Sequence, residues 1–107
     1  MQSSSNFEAG IQFDSDGFLV DPSAWDEAVA DRIASADGLG HLDDVQLGVL
    51  RALRQEYSKH RSVIALSHVC HLSGQRPDCM QHLFPNPREA WRVGGLPNPG
   101  EEAKAYL

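Results

Sequence analysis

The run Asp43–Arg61, DDVQLGVLRALRQEYSKHR, decides the fold class. Val49, Leu50, Leu53 and Tyr57 recur at helical spacing, so a helix opening at Asp43 or Asp44 carries one apolar face. Acids stand at its start, with Lys59 and Arg61 towards its end, the order that complements a helix dipole. Gly48 inside this run costs about 1 kcal/mol relative to alanine, which implies either a close helix contact or a locally weak turn.

Working outward, Val63, Leu66, Val69 and Leu72 share a face and predict a helix over 62–72. Upstream, Asp21-Pro22-Ser23 reads as a helix start, Trp25, Ala28, Val29, Ile33 and Ala36 as its apolar stripe, and Gly38 and Gly40 as its end. Ile11 and Phe13, then Phe18 and Val20, alternate about Asp14-Ser15-Asp16-Gly17 and predict a short β-hairpin over 10–20. Downstream, Gly74-Gln75-Arg76-Pro77 breaks the chain, Asp78 caps a short helix through Leu83, and a last helix runs from Pro87 to Val93 before Gly94-Gly95. Residues 1–9 read as a loose terminus and 97–107 as a flexible C-terminal arm on the surface. The expectation is a single domain over 1–107, mainly α: a small helical bundle with a helix-turn-helix-like core, an N-terminal β-hairpin and that arm.

A chain of 107 residues with 41% hydrophobic and 22% charged residues supports one core and leaves little bulk for a large internal cavity, which favours a binding or carrier module over a large enzyme. No apolar run suits a membrane span, and the polar start Met1–Asn6 lacks a signal-peptide core, so the expected location is cytoplasmic. Net charge is −6, unevenly spread: residues 1–45 carry ten acids against Arg32 alone. That argues against a nucleic-acid coat over the whole surface.

No phosphate loop, dinucleotide fingerprint, nucleophile elbow or zinc-protease motif is present. His68, Cys70, His71, Cys79 and His82 crowd potential ligands together, but their spacing is not that of a zinc site, and neither metal nor cofactor is expected. Cys70 and Cys79 read as thiols, and Cys79, near Arg76 at a helix start, is the one candidate for thiol chemistry. Arg51, Arg54 and Arg61 on and after the central helix are the candidate nucleic-acid contacts of a helix-turn-helix reader; a partner-facing or solvated surface is the preferred account.

Asp16-Gly17-Phe18-Leu19 with Asp21 and Trp25, Leu53-Arg54 with Tyr57, Leu83-Phe84-Pro85, and Gly95-Leu96-Pro97-Asn98-Pro99 together resemble the DsrC/TusE family of sulfur-relay proteins, over about residues 11–100. The resemblance implies a small helical bundle with a mobile C-terminal arm. It also implies sulfur transfer as a cysteine persulfide or trisulfide, with dissimilatory sulfite reductase and its relay partners or in thiolation of tRNA uridine. The carrying cysteine lies in the arm, and one branch of the family has a second in the last helix.

This sequence departs from that pattern where the chemistry sits. The helix position falls on Trp91 and the arm position near Glu102, and Ile64 and Ser67 stand roughly where the family has a Pro and an Arg. A carboxylate and an indole hold no persulfide. What the resemblance then implies is a non-catalytic protein that binds or regulates sulfur-relay or sulfite-reductase partners, through a face including Trp91, Arg92, Leu96, Pro97 and Glu102. The alternatives are a sulfur carrier using Cys79 and a DNA-binding regulator.

Overall fold

A computed structural model of the chain describes residues 11–60 and 66–100. Five α-helices occur among them: α1 (Glu27–Ala36), α2 (Asp44–His60), α3 (Leu66–Leu72), α4 (Cys79–Leu83) and α5 (Pro87–Val93). α2 packs on α3, α1 on α5, and α4 lies between α3 and α5. Of the expected features, residues 1–9, Arg61, Ser62 and Val63 of the third helix, and the arm beyond Gly100 lie outside the described residues.

The expected hairpin over 10–20 is not formed: no strand occurs among the described residues, and one isolated antiparallel bridge joins Phe13 to Leu19. Asp14 shapes the turn. Its Oδ1 accepts from the N–H groups of Asp16 and Phe18, both at 2.9 Å, closing a local turn aided by Gly17 at φ 90°. Backbone pairing stops at the two bonds around the bridge, Asp14 N–H to the Phe18 carbonyl at 2.8 Å and Val20 N–H to the Gln12 carbonyl at 2.9 Å. Burial does not alternate either. Consecutive Phe18 and Leu19 are both buried, whereas Val20 is 53% exposed, so the one-face-in, one-face-out pattern the sequence suggests is absent here.

The next helix begins later than Asp21-Pro22-Ser23 suggests. Asp21 caps only a 3-10 turn over Pro22–Ala24, and Trp25 leaves it in an extended conformation. Asp26 is the true N-cap of α1, its carboxylate accepting from the Val29 N–H at 2.8 Å. α1 then buries Val29, Ala30, Ile33 and Ala34, one turn-spaced stripe against α5. At the start of α2, Asp43 and Gln46 exchange side-chain-to-backbone bonds of 2.7 and 2.9 Å, a reciprocal capping box. The amide of Gln46 also reaches the Leu83 carbonyl at 2.8 Å, tying α2 to the end of α4.

Val49, Leu50 and Leu53 of α2 are buried as the sequence pattern requires, with Val69, Phe84, Trp91, Val93 and Leu96 around them. Trp91 is fully buried; its ring meets Tyr57 edge-on at 5.6 Å, and its Nε1 donates to the Pro97 carbonyl at 2.8 Å. Segment 97–100 has no regular structure, yet it is not a free surface arm. Besides the Trp91 bond, Asn98 Nδ2 donates to Asp14 at 3.0 Å and Asp16 at 2.9 Å, which pins it to the N-terminal turn.

The thiol reading of Cys70 and Cys79 is corrected: they form a disulfide with Cα atoms 5.8 Å apart. It joins α3 to the first residue of α4 across the Gly74-Gln75-Arg76-Pro77 break. A short break brings two half-buried helix faces together, and a link closing about ten residues removes roughly 3 kcal/mol of unfolded-chain freedom. Asp78 does not cap α4 through its side chain; that carboxylate lies 3.1 Å from His82 Nε2 and 3.8 Å from Arg76 Nε.

Two glycines have opposite meanings. Gly95 sits at φ +70°, and an added Cβ would lie 2.1 Å from Trp25 Cδ1. Combining the positive-φ penalty with overpacking against an indole, Gly95→Ala is expected to cost about 2–4 kcal/mol in urea denaturation. Gly48, by contrast, has only the Arg51 guanidinium, 4.0 Å away, near its missing Cβ. No close helix contact requires it, and Gly48→Ala is expected to stabilise by about 0.5–1 kcal/mol in the same assay.

Candidate partner-binding face around Gly94–Pro97

Helix α5 ends at Gly94, and the chain turns back through Gly95 so that Leu96 is buried and Pro97 half-buried. Arg54 of α2 holds this turn. Its guanidinium donates to the carbonyls of Gly94 at 2.9 Å, Gly95 at 3.2 Å and Pro22 at 2.8 Å, and lies 4.4 Å from the centre of the Trp25 ring. Partial burial lowers the Arg54 pKa, though no protein environment of this kind discharges a guanidinium. Trp25 Nε1 closes the arrangement by donating to the Val93 carbonyl at 2.9 Å. Beside it opens a cavity of about 270 Å³ lined by Asp21, Ser23, Arg54, Tyr57, Ser58 and Leu96 among others.

Arg92 fastens the other side of α5. It grips Asp37 with two bonds, Nε to Oδ2 at 2.8 Å and Nη2 to Oδ1 at 3.1 Å, donates to the Gly17 carbonyl, and covers the Phe13 ring at 5.3 Å. This bidentate pairing lowers the Asp37 pKa and raises that of Arg92. Glu89, one turn earlier, feels the opposite influence. Burial first, and the neighbouring Asp37 carboxylate second, push its pKa up to about 7, and one of its oxygens is buried without a hydrogen-bond partner.

The five residues assigned to the partner face therefore divide. Trp91 and Leu96 are buried, so their side chains shape the face from beneath and are not presented on it. Arg92 is partly exposed but engaged, Pro97 lies at the surface of the turn, and Glu102 is outside the described residues. Two of the three candidate nucleic-acid contacts are described, and both are engaged within the chain. Arg51 is paired with Glu27 of α1, Arg54 is committed to carbonyls, and Arg61 is outside the described residues. Cys79, the thiol candidate, is 5% exposed and disulfide-bonded, so the resting protein offers no thiolate there. With both cysteines so used, they are lost to the His-Cys cluster as ligands.

Three roles are not legible from local sequence. Arg54 enters there as a candidate nucleic-acid contact and as part of a family motif, because nothing local signals that three carbonyls distant in the chain converge on it. Glu56, spaced one turn from Leu53, falls on the apolar face of α2 and is buried, where Lys59, His60 and His68 surround its carboxylate at 3.3–3.7 Å. Asn98 was read within a motif but not as a clamp. The larger groove, about 460 Å³ between α2 and the end of α3, contains exposed Val45 and Leu72.

The family described as "DsrC like protein" matches residues 7–101. Among solved structures, the oxidized γ-subunit of the dissimilatory sulfite reductase (DsrC) from Archaeoglobus fulgidus is similar with a TM-score of 0.69 and 29% identity, over 85% of this chain and 90% of that one. A structure described as dissimilatory sulfite reductase I (DsrI) is similar in fold, with a TM-score of 0.73 and 22% identity, over 85% and 89% of the two chains. No curated protein sequence matches. No described helix is long and apolar enough to cross a membrane.

Glu89 makes a pH dependence testable. An acid whose folded pKa is raised from 4.5 to about 7 binds its proton more tightly in the folded state, so stability falls as pH rises through that interval and levels off above it. Urea midpoints measured from pH 4.5 to 8 are expected to show this decline. Glu89→Gln, which keeps a donor towards Asp37 and removes the titration, is expected to flatten it.

Proposed function

The chain belongs to the DsrC-like family, and on that premise we propose that it is a non-catalytic protein of sulfur metabolism. It docks on a protein of dissimilatory sulfite-reductase type through the Gly94–Pro97 face and the arm beyond it, and carries no sulfur on that arm. The observation that carries this reading is Trp91. At the position where the family resemblance puts the helix cysteine, the chain has a fully buried indole bonded to the Pro97 carbonyl. An indole supplies neither a nucleophilic sulfur nor a disulfide partner, and the arm position near Glu102 is a carboxylate. What remains is the framework: the turn held by Arg54, the Arg92 clamp, and the rim around Pro97.

The partner class follows from likeness. The Archaeoglobus fulgidus protein is described as a subunit of dissimilatory sulfite reductase, and a chain retaining that fold without the carrier positions can still occupy such a docking site. Binding there would mask it from a sulfur-loaded relative, which makes the protein a regulator by occupancy. The Cys79 carrier reading is weakened because that sulfur is bonded to Cys70, and the DNA-reading alternative is less favoured because Arg51 and Arg54 are engaged within the chain.

Two measurements test the proposal. The purified chain is expected to co-elute with dissimilatory sulfite reductase in size-exclusion chromatography, and truncation after Gly100 is expected to weaken binding about tenfold or more, some 1.4 kcal/mol. After incubation with a polysulfide donor and removal of the excess, the intact mass is expected to be unchanged, with the Cys70–Cys79 bond re-formed. A stable gain of about 32 Da, one sulfur atom, would overturn the non-carrier assignment; failure to bind the reductase would overturn the partner.

A further inference from the structure

The Cys70–Cys79 disulfide lies outside the face just described, and its two sulfurs are not equivalent. Cys70 is completely buried between α3 and the core. Cys79 retains 5% exposure and forms part of the wall of a cavity of about 200 Å³, together with Gln75, Arg76, Asp78, His82 and Leu83. Cys70 does not line that cavity. A nucleophile opens a disulfide by approaching one sulfur and expelling the other, so access decides which sulfur is attacked.

We propose that Cys79 is a site of reversible S-thiolation by a small monothiol entering this cavity. The thiol's hydrocarbon stem meets the Leu83 side, and its polar end meets the rim of Gln75, Arg76 and His82. Asp78 would repel an anion, but the Arg76 guanidinium, 3.8 Å away, offsets that carboxylate, and His82 Nε2 hydrogen-bonds it at 3.1 Å. The thiolate sulfur bonds to Cys79 Sγ, the Sγ–Sγ bond breaks, and the electron pair leaves on Cys70 Sγ. Cys70 then takes up the proton that the entering thiol had shed to water. The entering sulfur is oxidised to the disulfide level as the Cys70 sulfur is reduced to a thiol. In reverse, Cys70 attacks the mixed disulfide at Cys79 and releases the small thiol. Thiolation thus unties α4 and the 73–78 connection from α3, leaving Cys70 a buried thiol.

The inference is independent of the docking proposal, and its product differs in mass from a transferred sulfur atom. The air-oxidised protein is treated with excess 3-mercaptopropionate under native conditions, quenched with acid, alkylated with iodoacetamide after denaturation, and cut before Asp78 to separate the two cysteines. The expected result is mercaptopropionate on Cys79 and alkylation on Cys70, with helical circular dichroism retained. Gln75→Trp, at the exposed cavity rim, is expected to slow the reaction about tenfold with the melting temperature unchanged. Adduct on Cys70 or evenly on both, reaction only in denaturant, or an undiminished rate in Gln75→Trp would overturn the proposal. So would two free thiols in the untreated native protein.

Discussion

A single guanidinium organises the chain around itself. Arg54 emerges from the middle of the longest helix and satisfies carbonyls of Pro22, Gly94 and Gly95 while covering the Trp25 ring. Those groups lie before α1 and after α5, so one side chain fixes both ends of the bundle to its centre. The arrangement explains why Gly95 has no room for a Cβ, why Trp25 stands outside any helix, and why Leu96 is delivered into the core. Removing the guanidinium would leave three part-buried carbonyls short of donors, a loss larger than that of one surface contact.

The helices were legible because their signals are local. Periodic apolar residues set α2, and Pro87 with Asn86 set the start of α5; burial of Val49, Leu50 and Leu53 follows from spacing alone. The failures share a cause as well. Asp14 and Asp26 can each accept backbone N–H bonds in competing ways, and the choice between hairpin and turn, or between helix starts at 22 and at 27, rests on which backbone groups the rest of the fold leaves unsatisfied. The candidate site was legible as a set of positions, through Gly95-Leu96-Pro97 and the family resemblance. Its chemistry was not, because the partners of Arg54, Arg92 and Asn98 are 32 to 84 residues away in sequence. The disulfide was missed for a related reason: two cysteines nine apart pair only if the intervening break folds α4 back on α3.

The proposed docking face and the disulfide occupy different parts of the molecule. Around Gly94–Pro97 the polar atoms are almost all committed internally, which favours a preformed surface that pays little ordering entropy on binding. Around Cys79, a short five-residue helix, a small cavity and one covalent link provide local stability that can be withdrawn without dismantling the core.

The acidity of the first half acquires a different meaning once its carboxylates are located. Asp14, Asp21, Asp26, Asp31 and Asp43 each accept from backbone N–H groups, and Asp37 is gripped by Arg92. The Ser23 hydroxyl, with the Ser23 N–H, lowers the Asp21 carboxyl pKa, and the Leu42 N–H, with His41, lowers that of Asp31. These aspartates serve as punctuation, marking where turns and helices begin, and the negative charge is a by-product of choosing aspartate over asparagine or serine for that task. Overall charge is consequently a poor guide to how this surface meets its partners, and related chains could drift widely in isoelectric point while keeping every turn in place.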